Sequence, residues 1–347
     1  MDFKRESIFL SIIRYFFISI AIVSGLSVAV VMVSMTYDFL QEQNFRVSSS
    51  YLPSLAEPFI MPDANGDSVL LSKSSPAILR IDLKGVLGTG ELTRQKIEGI
   101  LNDSRESFLK NRVKGILLVI DTPGGSAEDS EGIYHLLLNY RKKHNIPIYA
   151  FVDGMCASGG MFIAAAADKI YATYPSMVGS IGVIWNTEFN YSEIMAKIGI
   201  TSATISEGKF KDPFNPYRAW GPNEDISIRP IMAGLYQRFV SVIAEARPKL
   251  TEDLLINEYG ARIFLASEAM KLGYIDETDS NYSQALKALV DAAGIEEAYQ
   301  VVQLFPYFSL LNRFRKALQP QTLTKYLGLP VPVTDELRGK PLYLYVP

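Results

Sequence analysis

Pro147-Ile148-Tyr149-Ala150-Phe151-Val152 runs into Asp153-Gly154-Met155-Cys156-Ala157-Ser158-Gly159-Gly160, and then into the alanine-rich segment Met161 to Ala167. The first six residues form a short apolar run, bounded by Pro and by Asp-Gly, and predict a strand. The last segment predicts a helix. A serine at such a junction sits where backbone N–H groups converge and a helix dipole favours developing negative charge. The glycines after it remove side-chain bulk from the place where a substrate backbone would lie. Small residues there equally let a helix pack closely on a sheet, so the octet alone leaves both readings open.

Outward from this junction the alternation repeats. Ala77 to Leu83 predicts a strand, Thr93 to Ser107 a helix, and Gly115 to Asp121 a buried strand. A turn, Thr122-Pro123-Gly124-Gly125-Ser126, leads to a helix from Ala127 to Lys143, and beyond the serine Lys169 to Ala172 predicts another strand. This spacing predicts βαβ units, an α/β fold with helices covering the sheet. Gly179-Ser180-Ile181-Gly182-Val183-Ile184-Trp185 is a glycine-interrupted apolar run suited to lining a cleft. Tyr191 to Ile198 reads as helical, Ala203-Thr204-Ile205 as strand-like, and Ser206 to Pro213 as a loop; Asn223 to Ala246 reads as a long helix, with further helices over Ser267–Lys271 and Ser283–Ala293. After Val301 the chain is rich in Leu, Phe, Tyr and Pro, with Arg313, Arg315 and Lys316 interspersed. Such a tail suits packing on a neighbouring subunit or resting at a membrane surface.

Tyr15 to Met35 is uncharged, apolar and long enough to cross a bilayer as one helix, with Lys4, Arg5 and Arg14 before it and Asp38 and Glu42 after it. This predicts a cytoplasmic N-terminus over 1–14, an anchor over 15–36, and the remainder outside the cytoplasmic membrane. A cleaved signal peptide is the competing reading, with Ser27-Val28-Ala29 as the small-residue site, but the apolar core is long for one. Residues 37–72 show no sustained period and predict a linker; 73–297 predict the main domain and 298–347 an extension. The 347 residues are 48% hydrophobic, enough for a full core. A net charge of -3 without a basic block excludes a phosphate-tracking nucleic-acid surface. The lone cysteine, Cys156, excludes an intrachain disulfide and a cysteine-based zinc site.

A serine hydroxyl needs a positioned base. Both histidines have structural explanations: His135 lies within the apolar helical pattern Ile133 to Leu138, and His144 follows Arg141-Lys142-Lys143 at a helix end, where an imidazolium complements the dipole. Lysine is the other partner that serine uses, provided burial makes the neutral amine available. Lys209 and Lys211 both sit in the loop Gly208 to Pro213, and on that loop alone they read equally as solvated lysines.

Asp121-Thr122-Pro123-Gly124-Gly125, Ala157-Ser158-Gly159-Gly160, Gly179-Ser180-Ile181-Gly182-Val183 and Gly208-Lys209-Phe210-Lys211-Asp212 follow one another as they do in the signal peptide peptidase A family, also called protease IV, which residues 75–295 and the N-terminal anchor resemble. The resemblance implies a membrane-anchored Ser/Lys serine peptidase with a Clp-protease-like or crotonase-like fold, a repeated ββα core. It implies Ser158 as nucleophile, Lys211 as general base with Lys209 as the substitute, Ser180 as the hydroxyl that orients the lysine, and Gly125 as an oxyanion-hole donor. Gly159 is a second donor by its position after the serine. Met161, Phe162, Val183 and Trp185, beside these motifs, are candidate groove residues. The resemblance implies signal peptides left in the membrane as substrates. It also implies a ring of identical chains, an octamer, with sites shared between neighbours, and no cofactor or metal. Cys156 reads as a small buried thiol, since nothing cationic near it in sequence favours a thiolate. Two other classes compete. A crotonase-fold acyl-thioester enzyme conflicts with an outward-facing domain, and a non-catalytic membrane scaffold has no use for both Ser158 and Lys211.

Overall fold

The computed structural model describes residues 15–20, 25, 57–72, 74–90, 92–305 and 341–345. The chain divides into two units, Met1–Pro53 and Ser54–Pro347. In the first, residues 15–20 are helical and exposed, with the Ser19 hydroxyl donating to the Tyr15 carbonyl at 2.6 Å. Most of the expected anchor over 15–36, with the segment 1–14 before it, lies outside the described residues, and among those described no helix is long and apolar enough to cross a membrane.

The second unit is a mixed sheet with helices on both faces. Its strands are β1 (Glu57–Met61), β2 (Ala77–Lys84), β3 (Val113–Thr122), β5 (Ile148–Ala157), β6 (Lys169–Ala172), β7 (Met177–Gly179), β8 (Ile263–Leu265) and β9 (Gln300–Phe305). They lie in the order β1-β9-β2-β3-β5-β7-β8, with β6 also paired to β5. The β9-β2-β3-β5 centre is parallel, as are the pairs of β5 with β6 and β7, whereas β1 on β9 and β8 on β7 are antiparallel. A ninth and tenth strand, β4 (Gly124–Ser126) and β10 (Leu342–Leu344), pair with each other off this sheet.

The near-continuous apolar runs of β2, β3 and β5 reflect burial on both faces, as a parallel sheet requires. Leu79, Ile81, Ile116, Leu118, Ala150 and Val152 point to one layer, packed under α1 (Arg94–Asp103), α2 (Ala127–His144), α3 (Gly159–Ala164) and α5 (Ile228–Ala246). Ile78, Leu117, Val119, Tyr149 and Phe151 point to the other, covered by Leu286 and Leu289 of α7 (Tyr282–Ala292). Cap residues mark the helix ends. Thr93 accepts from the Lys96 N–H to start α1, Ser126 from the Asp129 N–H to start α2, and Asn281 forms a capping box with Gln284 on α7. Asn145, in the left-handed region, ends α2 after four basic residues.

The structure departs from the sequence reading in four places. Glu57–Met61, within the stretch read as linker, forms the outer strand of the sheet. Gln300–Phe305 and Leu342–Leu344, within the stretch read as an appended tail, are strands of this chain's own fold; residues 306–340 between them lie outside the described residues. Arg112 explains the first of these attachments. It is buried and donates to the Gln300 side chain at 2.5 Å and to the Ser75 carbonyl at 2.7 Å, tying the start of β9 to the loop before β2. Ala203-Thr204-Ile205 forms no strand, because a β-branched run without a neighbouring edge has nothing to pair with, and Ile205 is 98% exposed. Finally α3 spans only Gly159–Ala164, and β5 runs on through the Asp-Gly pair to Ala157.

Candidate active site

Strand β5 continues past Val152 because Asp121 and Ser176 catch its freed N–H groups. The Met155 N–H donates to the Asp121 carboxylate at 3.0 Å, and the Gly154 N–H lies 3.3 Å from the Ser176 hydroxyl. The register with β3 shifts here, so Thr122 comes to face Cys156. The chain then reverses at Ser158, whose φ of 52° and ψ of -116° fall in a region that a residue with a Cβ rarely occupies. Such a backbone costs about 1–3 kcal/mol and persists where surroundings over-determine it. Those surroundings are on both sides: the Ser158 N–H donates to the Gly179 carbonyl at 2.9 Å, and the Ser158 carbonyl accepts from the Phe162 N–H at 3.1 Å. The Ser158 hydroxyl is 3.4 Å from the Gly182 carbonyl oxygen, and the residue is buried.

The two glycines that follow have different tasks. A Cβ on Gly160 would press on Thr122, 2.7 Å from its methyl, so that residue serves close packing of helix on sheet. A Cβ on Gly159 would collide with the Ser130 hydroxyl and meet the Leu87 side chain at 2.9 Å and the Tyr343 carbonyl oxygen at 3.1 Å, so that buried residue permits the close approach of α2, the Leu87 loop and β10. Cys156 is fully buried, its Sγ 3.6 Å from the Met161 Sδ, and burial pushes its thiol up to about 12. That makes it a packing residue, as expected from sequence.

Gly124 and Gly125 have positive φ, 97° and 153°. The Gly124 carbonyl accepts from the Leu87 N–H at 2.8 Å, and the Ser126 N–H donates to the Leu87 carbonyl at 2.9 Å. Alternate residues of a strand present their polar groups to opposite edges, so the N–H of Gly125 faces away from Leu87, toward β10. Ser180 lies just past β7 with φ of 56°, its N–H donating to the Arg262 carbonyl at 2.8 Å. The structure thus brings the Pro-Gly-Gly turn, Ser158-Gly159 and Gly179–Gly182 together at one end of the parallel strands, although they are far apart in sequence.

Lys211 is not brought there. It lies on an exposed loop, and among the described residues no hydrogen bond or ion pair joins it to Ser158. Lys209 places its Nζ 4.9 Å from the Phe210 ring centre, and Phe210 is itself 42% exposed. The loop is shaped by Arg218, which sequence reasoning missed. Its guanidinium donates to the Asp212 carboxylate at 3.2 Å, to the Asp212 carbonyl at 2.7 Å and to both Glu224 oxygens at 2.5 and 3.0 Å. Glu224 also accepts from the N–H groups of Phe214 and Gly221. Hydrogen bonds from Arg218, then from the Gly221 backbone, hold the Glu224 carboxyl down at about 2, and Arg218 lowers the Asp212 carboxyl in the same way.

Of the candidate groove residues, Phe162 is fully buried against Tyr343, and Val183 is partly buried against the core. Met161 is inside the core, and Trp185 lines a separate open cavity of about 330 Å3 with Phe214, Trp220 and Ile228. The histidines are engaged elsewhere: His135 lies 3.3 Å from Glu131 on the surface of α2, and His144 packs on Tyr140. Among the described residues no cluster of His, Cys, Asp and Glu is suited to hold a metal. Sequence reasoning also missed β10. Its signal was there: Leu342-Tyr343-Leu344-Tyr345 is a short β-prone run set off by Pro341 and Pro347.

A buried serine with a positive φ, set between a central strand and a helix at one end of a mixed α/β sheet, belongs to a Clp-protease-like fold, and residues 102–177 match the model of the Clp protease family. Residues 140–296 match the model of peptidase family S49. A putative signal peptide peptidase SppA of Enterococcus faecium is 33% identical over 236 residues, covering 64% of this chain and 67% of that one. A putative protease of Synechocystis sp. is 29% identical over 280 residues, covering 77% and 95% respectively. Protease 4 of Haemophilus influenzae is 28% identical over 268 residues, covering 73% of this chain but 42% of the relative. The chain belongs to the signal peptide peptidase A family, peptidase family S49, and is a serine peptidase.

Proposed function

We propose that the chain is a membrane-anchored endopeptidase that clears signal peptides and other membrane-associated peptides with a Ser158/Lys211 dyad, and that Lys211 reaches Ser158 of a neighbouring protomer. The observation that carries the reading of Ser158 as nucleophile is its forced backbone at a buried strand-to-helix turn beside the Pro-Gly-Gly turn, where a Cβ built on Gly124 would lie 2.8 Å from the Gly159 nitrogen. The uncharged Lys211 amine takes the proton of the Ser158 hydroxyl as that oxygen attacks a peptide carbonyl. The N–H groups of Gly125 and Gly159 hold the oxyanion, and the Ser180 hydroxyl orients the amine. The Lys211 ammonium then protonates the leaving amine, and water releases the acyl group.

Two features support a shared site. Lys211 is exposed in its own chain, and the surrounding segment leaves large apolar side chains in solvent: Phe189 is 63% exposed, Ile198 65%, Tyr217 52% and Ile231 52%. A surface of that kind is covered in an oligomer, which we take to be a closed ring, an octamer by family resemblance. Covering would also desolvate the lysine, favouring the neutral amine. An anchor over 15–36, with the peptidase domain on the outer side, completes the proposal. In a peptide-cleavage assay Ser158→Ala and Lys211→Ala are each inactive, Lys209→Ala is active, and mixed protomers of the two inactive variants regain turnover. An active monomer, or a silent Lys209→Ala beside an active Lys211→Ala, would refute the assignment.

A further inference from the structure

Thr122 ends β3 immediately before the Pro-Gly-Gly turn and is fully buried. Its hydroxyl has one proton and two carbonyls in reach, Gly85 at 2.5 Å and Gly124 at 3.4 Å, so the proton goes to Gly85. The hydroxyl oxygen accepts in turn from the Gly124 N–H at 3.1 Å. The methyl packs against the start of α3, where a Cβ added to Gly160 would lie 2.7 Å from it. One side chain thus touches the loop after β2, the glycine turn and the helix that follows Ser158.

The first of these contacts matters because that loop carries Leu87. The Gly85 N–H donates to the Asp121 carbonyl at 3.0 Å while the Gly85 carbonyl takes the Thr122 proton, so two consecutive residues of β3 fix both polar groups of Gly85. Two residues on, the Leu87 N–H donates to the Gly124 carbonyl at 2.8 Å. That carbonyl and the Gly125 N–H belong to one planar trans peptide unit, in which they point in opposite directions. Fixing the carbonyl on Leu87 therefore aims the Gly125 N–H, and polarises it, because hydrogen bonds in series strengthen one another in a low-dielectric interior. The buried Leu87 side chain reaches the other donor: a Cβ built on Gly159 would meet it at 2.9 Å. Leu87 is a spacer between the two glycines, and Thr122 fastens it.

We propose that Thr122 is a positioning residue of the oxyanion hole: its hydroxyl locks the Gly85–Leu87 loop to the Pro-Gly-Gly turn and so holds the Gly125 N–H in the direction that the oxyanion requires. The inference rests on the reading of Ser158, Gly125 and Gly159 as the reaction centre. It assigns the hydroxyl a part that the methyl does not share. Without the hydroxyl, the Gly124 N–H loses its acceptor and the Gly85 carbonyl loses its donor. Gly85 is exposed, so water replaces the lost donor there, and the loop is released while the fold survives.

The test is a series at one position of the full chain, read with a short peptide substrate. Thr122→Ser keeps the hydroxyl and drops the methyl, whereas Thr122→Val keeps the shape and drops the hydroxyl. Thr122→Cys, in reducing buffer, has the shape of Thr122→Ser with a thiol that bonds weakly. Thr122→Ser keeps a kcat near that of the wild type, Thr122→Val loses about 10–10^2-fold, and Thr122→Cys falls between them, with KM the same throughout. A role confined to folding would instead lower the melting temperature and leave the kcat of the folded fraction unchanged. Should Thr122→Val fail to fold, Thr122→Ser and Thr122→Cys carry the test, since they differ in one heavy atom. Equal kcat across the series, or a loss borne by KM, overturns the inference. Gly125→Ala, run beside them, separates the two levels. If it loses kcat while the Thr122 series stays level, the inference falls alone; if it keeps its kcat, the reading of the reaction centre falls with it.

Discussion

Ser158 sits between a central strand and a fully buried helix with its N–H bonded to the next strand, whereas Lys211 rides on an exposed loop whose shape depends on one arginine. The first region carries its geometry in the packing of a single chain: the cost of the left-handed turn is offset by the burial of Phe162, Ile163 and Ala164 beside it. The second is held by ion pairs at the surface, which solvent weakens and which order a loop without fixing where it points. A nucleophile needs a rigid platform, while a base delivered to a neighbouring protomer needs a reachable arm.

The contrast is sharpest at the turn itself. Ser158→Ala and Ser158→Gly should both reduce kcat about 10^6-fold, as loss of a serine nucleophile does. Only glycine relieves the backbone, so Ser158→Gly should raise the free energy of unfolding by about 1 kcal/mol over Ser158→Ala in urea titrations. Equal stabilities would show that the turn carries no strain. Next in size is Gly125→Ala, whose Cβ would run into the Leu87 backbone and displace a proposed oxyanion donor. A loss of about 10^2–10^3-fold in kcat is expected, read in the same peptide assay.

On the lysine side the effects are smaller. Arg218→Ala should lower kcat/KM by about tenfold to 10^2-fold through misplacement of the loop, with the melting temperature nearly unchanged. A large drop in melting temperature would place Arg218 in the scaffold rather than in the arm. Smallest is an acid effect. Arg218 depresses the Glu224 carboxyl, so the stabilisation from their bond is full above the ordinary value of about 4.3 and is lost as pH falls through about 2. Trp220, whose indole N–H donates to the Asn215 carbonyl at 2.9 Å, reports that loosening by its fluorescence, which should change over this window in the wild type and not in Glu224→Gln.

The strands at the sheet centre could be read because burial on both faces leaves an unbroken apolar run, as in Gly115 to Asp121, and the helix ends because caps such as Thr93 and Ser126 are local. The Ser158 turn was legible from its glycines and its neighbours. What escaped was set by partners distant in the chain. Glu57–Met61 is a strand because Val301 to Phe305 lies beside it, and Leu342–Leu344 because Gly124–Ser126 does. Ala203 to Ile205 has the composition of a strand and no edge to join. Arg218 gave no sign in sequence, since six residues separate it from each of Asp212 and Glu224 and no helical or strand period links them.

The pairing of β1 with β9 sets Glu57, the first residue of one strand, opposite Phe305, the last of the other. Tension applied at these two points would open the ladder one rung at a time from that end instead of shearing all its bonds together. The outer pair would behave as a mechanical fuse. It could be peeled away at low force while the strand leading to Ser158, three places further into the sheet from β9, stayed in register.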